Sequence, residues 1–373
     1  MGFLIILTLF LMLDIILEKK VSSKLIGFIV LIIIFLNFNK IKPYFIYGIS
    51  FIDINSTIEY AIRIIAFMSL TYFFSNRYKV ELVSKYIVKY SNILLLEIIV
   101  SQIYLIYLFI SGKGYTQTWG LKNYVGPYMT PHTYAYSIII MIIMIEILFL
   151  IKRSNKIMFL YIFPVLSSFL CGARTPVMMM FIIFIIIRKF KTNTIVINTR
   201  FKIKNILIVL GIMIIITLFS NEIIKMIINS NIVTKFIETA SEQNFDNGRV
   251  EYWNICMKSY LQSDILRQLL GNGIYSTVLD IKNSLGYEIW AHSDWVDIIN
   301  SYGLIIVIIY TSLYINYFIK LRKWSGKKYM ITFLGMAFIF LSTYNGIINY
   351  THFLFVFCYI SILALECSKE ELE

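Results

Sequence analysis

Three histidines and four cysteines are all that this chain of 373 residues sets against soft metals, and neither type is clustered. It has no HExxH, no His/Cys cluster and no DxD-type pair of carboxylates, so no metal is implied. A GxxxxGK[ST] loop is also missing, which excludes a P-loop, and no cofactor is expected. Internal repeats and low-complexity linkers are lacking, as is any stretch able to fold as a separate soluble domain. No inverted repeat with broken partner helices is present, which counts against a secondary transporter. The first apolar block lacks a basic n-region and a small-residue cleavage site, so it reads as a retained helix.

What the chain has instead is hydrocarbon. Hydrophobic residues make up 59% of it and the mean hydropathy is +0.76, far above soluble norms. A span needs about 20 apolar residues. Apolar blocks fall near 3–17, 25–38, 58–74, 92–110, 133–151, 157–171, 174–187, 205–220, 295–319, 329–343 and 347–365. They lack the dyad alternation of a barrel, and backbone in lipid must satisfy its own hydrogen bonds. The expectation is therefore an all-α, polytopic membrane protein of about 11 (10–12) transmembrane helices, one integral membrane domain over 1–373. The scattered cysteines read as thiols packed in the membrane; a Cys171–Cys256 bridge outside it is the alternative.

The net charge of +13 would suggest nucleic acid in a soluble protein. Its placement argues otherwise. Twenty-two of the 34 basic residues lie in alternate loops, at Lys19–Lys24, Arg77–Lys89, Lys152–Lys156, Arg188–Lys204 and Lys320–Lys328, and at Lys369. By the positive-inside rule those loops are cytoplasmic, and nucleic acid is not a partner. The longest polar stretch, 221–294, falls on the opposite side with six Lys/Arg and nine Asp/Glu. It is the large extracytoplasmic loop of this reading, and water-side chemistry is sought there. Within it Ile223–Thr239 and Val250–Leu270 have helical spacing, and Tyr252, Ile255, Tyr260 and Leu261 could lie on the membrane surface. Gly271-Asn-Gly273 would end the second helix.

Several side chains stand out, each with a bland alternative. Arg174, in Cys171-Gly-Ala-Arg174-Thr-Pro176, breaks two apolar blocks at the outer face. It either snorkels to the interface or clamps phosphate with its planar fork beside a helix N-terminus. Arg249, near Asp246 and Glu251, reads in isolation as a solvated ion pair worth little. His292 and Asp294 mark the outer mouth of the block at 295–319, and His132 begins another block; each is an interfacial capping residue or part of a site. Trp253, Trp119 and the loop tyrosines suit either an interfacial belt or sugar stacking. Arg63, Glu97, Glu146 and Asp297 lie within or near spans, where ionisable groups are functional candidates by default, and Arg63 with Glu97 could equally be a buried structural pair.

The pattern resembles the O-antigen polymerase and O-antigen ligase family of bacterial envelope glycan assembly. The resemblance rests on three elements in order: Gly172-Ala-Arg174-Thr at the outer end of a span; Gly248-Arg249…Trp253 followed by Gly271-Asn-Gly273; and His292-Ser-Asp-Trp295 leading into a helix with Gly303-Leu-Ile. Members commonly carry His-Asn where this chain has His292-Ser293, and Pro131-His132-Thr133 only approximates the family's outer-loop pattern. The resemblance implies a multi-pass enzyme of the bacterial cell membrane that transfers glycan from a polyprenyl-pyrophosphate donor without metal or nucleotide sugar. It implies Arg174 and Arg249 on the diphosphate, His292 as the group that holds or deprotonates the acceptor hydroxyl, and His132, Trp253 and Asp294 in substrate binding. A flippase and a chain-length regulator would be partners. Polymerase, ligase, lipid-linked oligosaccharide flippase and non-catalytic receptor all stay open at this point.

Overall fold

The computed structural model describes residues 54–118, 121–191, 248–273 and 275–369, and they are mostly helical. The expected blocks at 3–17, 25–38 and 205–220, the segment Ile223–Thr239 and Trp119 lie outside the described residues. Contacts divide the chain into two compact units: the described residues of Met1–Lys89 and Asp246–Lys369 form one, and those of Tyr90–Phe245 the other.

The first unit contains α1 (Ile54–Phe73) and α2 (Arg77–Lys89), and the second contains α3 (Ser91–Ile110), α4 (Pro131–Lys152), α5 (Ile162–Ser168) and α6 (Arg174–Lys191). The chain returns to the first unit with α7 (Arg249–Gln262), α8 (Ile265–Leu270), α9 (Ser276–Leu285), α10 (Asp294–Trp324), α11 (Lys328–Tyr344) and α12 (Val356–Lys369). Three of these helices, α3, α4 and α10, are long and apolar enough to cross a membrane. Leu96, Val100, Ile103 and Tyr107 of α3 are all exposed, an apolar face that water would not tolerate and lipid would.

In the second unit α4 is the buried centre, held by α3, α5 and α6. Thr130 caps its start, accepting the Thr133 amide, and Pro131 sits in its first turn, where a missing N–H costs nothing. The strands Tyr115–Thr118 and Leu121–Tyr124 form an antiparallel hairpin with Tyr115 opposite Tyr124. Tyr124 ties that hairpin to the helices, its amide donating to the Leu170 carbonyl at 2.8 Å and its hydroxyl to the Leu105 carbonyl at 2.5 Å. The block at 157–171 is not one α-helix: a 3-10 turn over Asn155–Tyr161 leads into the short α5, with Pro164 in its first turn.

In the first unit α10 is the organising element. Tyr310, Tyr314 and Tyr317 recur at helical spacing on one face and are all buried. Tyr310 stacks on Phe67 of α1 at 4.5 Å between ring centres, and the Tyr317 hydroxyl donates to the Phe357 carbonyl at 2.5 Å. α10 is interrupted at Gly303, whose φ of 78° and ψ of 179° are open essentially to glycine alone. In a straight helix Trp295 and Tyr310 would be about 22 Å apart along the axis. Their ring centres lie 5.3 Å apart. The break therefore folds residues 294–302 back beside the stretch from 304 to 324, and that later stretch alone has the roughly 30 Å length of a crossing.

The Gly271-Asn-Gly273 turn fills the break. The amides of Asn272 and Gly273 donate to the carbonyls of Asn300 (2.6 Å) and Ser301 (3.0 Å), which lost their helical partners at the interruption. A Cβ on Gly303 would lie 2.3 Å from the Leu269 carbonyl oxygen, and one on Gly271 2.4 Å from that of Ser301. Asn272 Nδ2 donates to Asn300 Oδ1 at 3.0 Å, and Asn300 Nδ2 to the Cys256 carbonyl (3.0 Å) and Asp280 (3.1 Å), so α7, α8 and α9 are locked to α10. The expected Val250–Leu270 helix is broken at Ser263-Asp264, where Asp264 caps α8. The expected membrane-facing side of α7 is corrected in part: Tyr252 and Tyr260 turn inward with Cys256, and Leu261 is exposed. Their i, i+4, i+8 spacing lays them against α9 and α10.

Candidate functional site

The start of α10, the start of α7 and the turn 345–350 meet in the first unit. Asp294 is the pivot. It is fully buried, and its carboxylate accepts from Ser342 Oγ (2.6 Å) and from the amides of Ile347 (3.0 Å) and Ile348 (3.2 Å). Those two amides are available because helix α11 ends at Tyr344 and Gly346 turns the chain with a φ of 65°. A Cβ on Gly346 would come within 3.1 Å of the Asp294 carboxylate. Trp295 Nε1 adds a bond to Thr343 Oγ1 at 3.0 Å. The carboxylate that the sequence suggests for substrate thus has protein donors around it and fixes the turn.

Arg249 and Trp253 occupy adjacent turns on one face of α7. The Nη1 of Arg249 donates to the Tyr344 carbonyl and Nη2 to Asn345 Oδ1 (3.0 Å), so the cation caps the C-terminal, negative end of α11. One turn on, Trp253 Nε1 donates to the Ala291 carbonyl at 2.8 Å, and its ring meets Tyr344 edge-on at 5.4 Å. A small core of Tyr252, Cys256, Ile281 and Ala291 lies beneath. One helix face thereby holds both the Tyr344–Asn345 corner and the residue before His292.

His292 is in the left-handed region at φ 55°, a conformation that a non-glycine residue keeps only when its surroundings impose it. Trp253 supplies one restraint through Ala291, and the capping Ser293 carbonyl, accepting from the Asp297 amide at 2.9 Å, supplies another. Asp297 in turn accepts from Thr277 Oγ1 of α9 at 2.9 Å. Burial, and then the nearby Arg249 charge, push the His292 pKa down to about 4. The imidazole is therefore neutral at pH 7, and among the described residues no group hydrogen-bonds its nitrogens.

The turn after α11 was not picked out as part of a site by sequence. Arg63 Nη1 of α1 donates to the Asn349 carbonyl at 2.7 Å. Tyr350 is half-buried beside Arg63 and Arg249: desolvation raises its phenol, and the two cations pull against that rise. The signal was the polar break Tyr344-Asn-Gly-Ile-Ile-Asn-Tyr350 between two apolar blocks, which reads as a short connection when hydropathy alone is scanned. Further along α7 a polar cleft of about 570 Å³ opens between α7, α8 and α9, with Lys258, Gln262, Arg267, Asn272, Asp280 and Asn283 among its walls. Burial raises the Asp280 pKa.

Arg174 and His132 belong to the second unit. Arg174 is the first residue of α6, half-buried, with Pro176 in the same turn and Gly172 ahead of it at φ 69°. His132 is half-buried in the first turn of α4. Glu146 of α4 is fully buried and paired with Arg188 Nε at 2.9 Å, and the Tyr161 hydroxyl donates to it. The Arg188 guanidinium lies 5.0–5.4 Å from the rings of Phe149, Tyr161 and Phe184. That group is a structural pair; the pair weighed from the sequence was Arg63 with Glu97, and Arg63 instead donates to the Asn349 carbonyl. All four cysteines are free thiols, and among the described residues no group of three or more His, Cys, Asp or Glu could hold a metal.

Compared with known proteins, the chain matches no family model and no curated sequence.

Proposed function

We propose that the chain is a multi-pass membrane glycosyltransferase, crossing the bilayer about eleven times, that lengthens a lipid-linked glycan at the extracytoplasmic face. The observation that carries the reading is the neutral, left-handed His292 set beside the Arg249 cation at the start of the folded-back arm of α10. The donor would be a polyprenyl-pyrophosphate glycan. In one step, the bond from an acceptor hydroxyl oxygen to the anomeric carbon forms and the bond to the diphosphate oxygen breaks. The hydroxyl proton passes to His292, and the leaving polyprenyl diphosphate takes the electron pair. Attack opposite the leaving group inverts the anomeric centre.

Arg249 would oppose the charge gathering on phosphate, which a low-dielectric surrounding strengthens. A bound diphosphate would also offset the field that Arg249 exerts on His292 and raise the imidazole pKa part of the way back, burial being the larger cause of the drop, toward the range where a general base works best. Asp294 and Trp253 act as positioning residues, holding the 345–350 turn and the residue before His292. The polar cleft along α7 supplies amides, cations and a carboxylate suited to sugar hydroxyls. Arg174 and His132 remain proposed substrate-contacting residues of the second unit, and the reading rests on the first unit's pair.

Purified protein given lipid-linked repeat units alone should produce longer chains, and Arg249→Ala and His292→Ala should not at equal protein level. Transfer only when a second acceptor is added would assign the ligase activity. Substrate moved across the membrane without change of length would assign a carrier and sink the reading.

A further inference from the structure

At the far end of α10 the first unit holds a second cavity, about 20 Å along the helix from Tyr310 at its 1.5 Å rise per residue. It encloses about 340 Å³, and its walls include Tyr72 at the end of α1, Asn76 and Arg77 at the start of α2, Lys79, and Lys320 and Trp324 of α10. Among the described residues, three cations and no acidic side chain line it. Lys79 is only 5% exposed and stands over the Phe73 ring at 4.7 Å. Asn76 caps α2 by accepting the Tyr78 amide at 3.1 Å, and the positive end of that helix opens on the same cavity. Arg77 is steered by Glu81, which meets its Nε at 2.8 Å. Beyond the rim, Arg322, Lys323, Lys327 and Lys328 crowd the turn between α10 and α11.

We infer that this cavity binds the phosphate of an anionic phospholipid headgroup at the membrane surface opposite the proposed catalytic face. A phosphate oxygen set matches the forked guanidinium of Arg77 and the point charges of Lys79 and Lys320. Tyr72 and Trp324, each with an apolar body and a polar tip, lie at the level where ring and headgroup share an interface. The basic turn from Lys320 to Lys328 draws anionic lipid toward it, and such attraction falls within about one Debye length of the surface. The site is independent of the glycan chemistry: it requires only that α10 cross the bilayer.

The test uses the full-length protein in neutral detergent. Short-chain phosphatidylglycerol, short-chain phosphatidylcholine and inorganic phosphate are titrated separately, with bound ligand read by native mass spectrometry. Phosphatidylglycerol should bind at least tenfold more tightly than phosphatidylcholine. The double variant Arg77→Gln/Lys320→Gln should lose at least tenfold of that affinity and keep its weak phosphatidylcholine binding. Arg77→Lys/Lys320→Arg, which preserves charge, should bind as the natural chain does. Equal binding of the two lipids, or undiminished phosphatidylglycerol binding by the Gln variant, overturns the site. Inorganic phosphate binding as tightly as phosphatidylglycerol would keep the anion chemistry and reassign its source to a soluble phosphate.

Discussion

Replacing Gly303 by alanine tests whether the fold-back of α10 is built as described. The backbone there has φ 78° and ψ 179°, a region that costs a side-chain-bearing residue about 1–3 kcal/mol. The added Cβ would meet the Leu269 carbonyl oxygen at 2.3 Å and the Gly271 nitrogen at 2.4 Å. Both are backbone atoms that cannot swing aside, and overpacking of this kind costs about 1–3 kcal/mol. Moving the 271–273 turn away would also forfeit the bonds to Asn300 and Ser301, each worth about 1 kcal/mol. The total is about 4–8 kcal/mol, a large share of the ~5–15 kcal/mol that holds a native protein. Gly286 supplies the control. Its φ is 82°, but a Cβ would meet nothing within 4 Å, so Gly286→Ala should cost only about 1 kcal/mol for its left-handed backbone. By the scaling of unfolding entropy with length, 1 kcal/mol shifts the melting temperature by roughly 1.3 °C in a chain of this size. Thermal unfolding of the detergent-solubilised protein should then fall by about 5–10 °C for Gly303→Ala and about 1 °C for Gly286→Ala. Equal shifts would refute the docking of the glycine turn into the break.

The other expectations follow from single contacts. Asp294→Ala strands the Ser342 hydroxyl and two buried amides and should destabilise by about 3–5 kcal/mol, with Asp294→Asn clearly milder, by the same thermal measurement. His292 has its pKa lowered from 6.5 to about 4, so the unfolded chain binds its proton first. Stability should therefore be intact above pH 6.5 and drop as pH falls from about 6.5 toward 4, more steeply than in His292→Gln; parallel profiles would contradict that burial. Arg188→Met leaves Glu146 buried beside Tyr161 without its cation and should cost about 3–5 kcal/mol, while Arg188→Met/Glu146→Leu should recover much of it in melting temperature.

Helical class and membrane character were legible because continuous Ile, Leu and Phe runs leave few alternatives in lipid. Arg249, Trp253 and His292 were singled out through a family resemblance rather than by local spacing, and the structure adds that Arg249 and Trp253 share one face of α7. What sequence did not yield were the non-local fits. Gly303 looked like one residue of a long apolar block, and only the seating of Gly271 against it reveals the fold-back. Asp294 stood out in the sequence only as the neighbour of His292. Its actual donors, the amides of Ile347 and Ile348, are some fifty residues away and carry no side-chain signal. The same blindness affected the turn at 345–350, where hydropathy averages across a six-residue corner that the backbone treats as a sharp stop.

The most direct test of the central claim is chain growth by the purified protein. Lipid-linked repeat units are supplied as sole substrate and product length is read on a gel, for the natural chain and for Arg249→Ala and His292→Ala folded to the same level. The account predicts a ladder of longer glycans from the natural chain and unextended substrate from both variants. Ladders of normal length from both variants would contradict it.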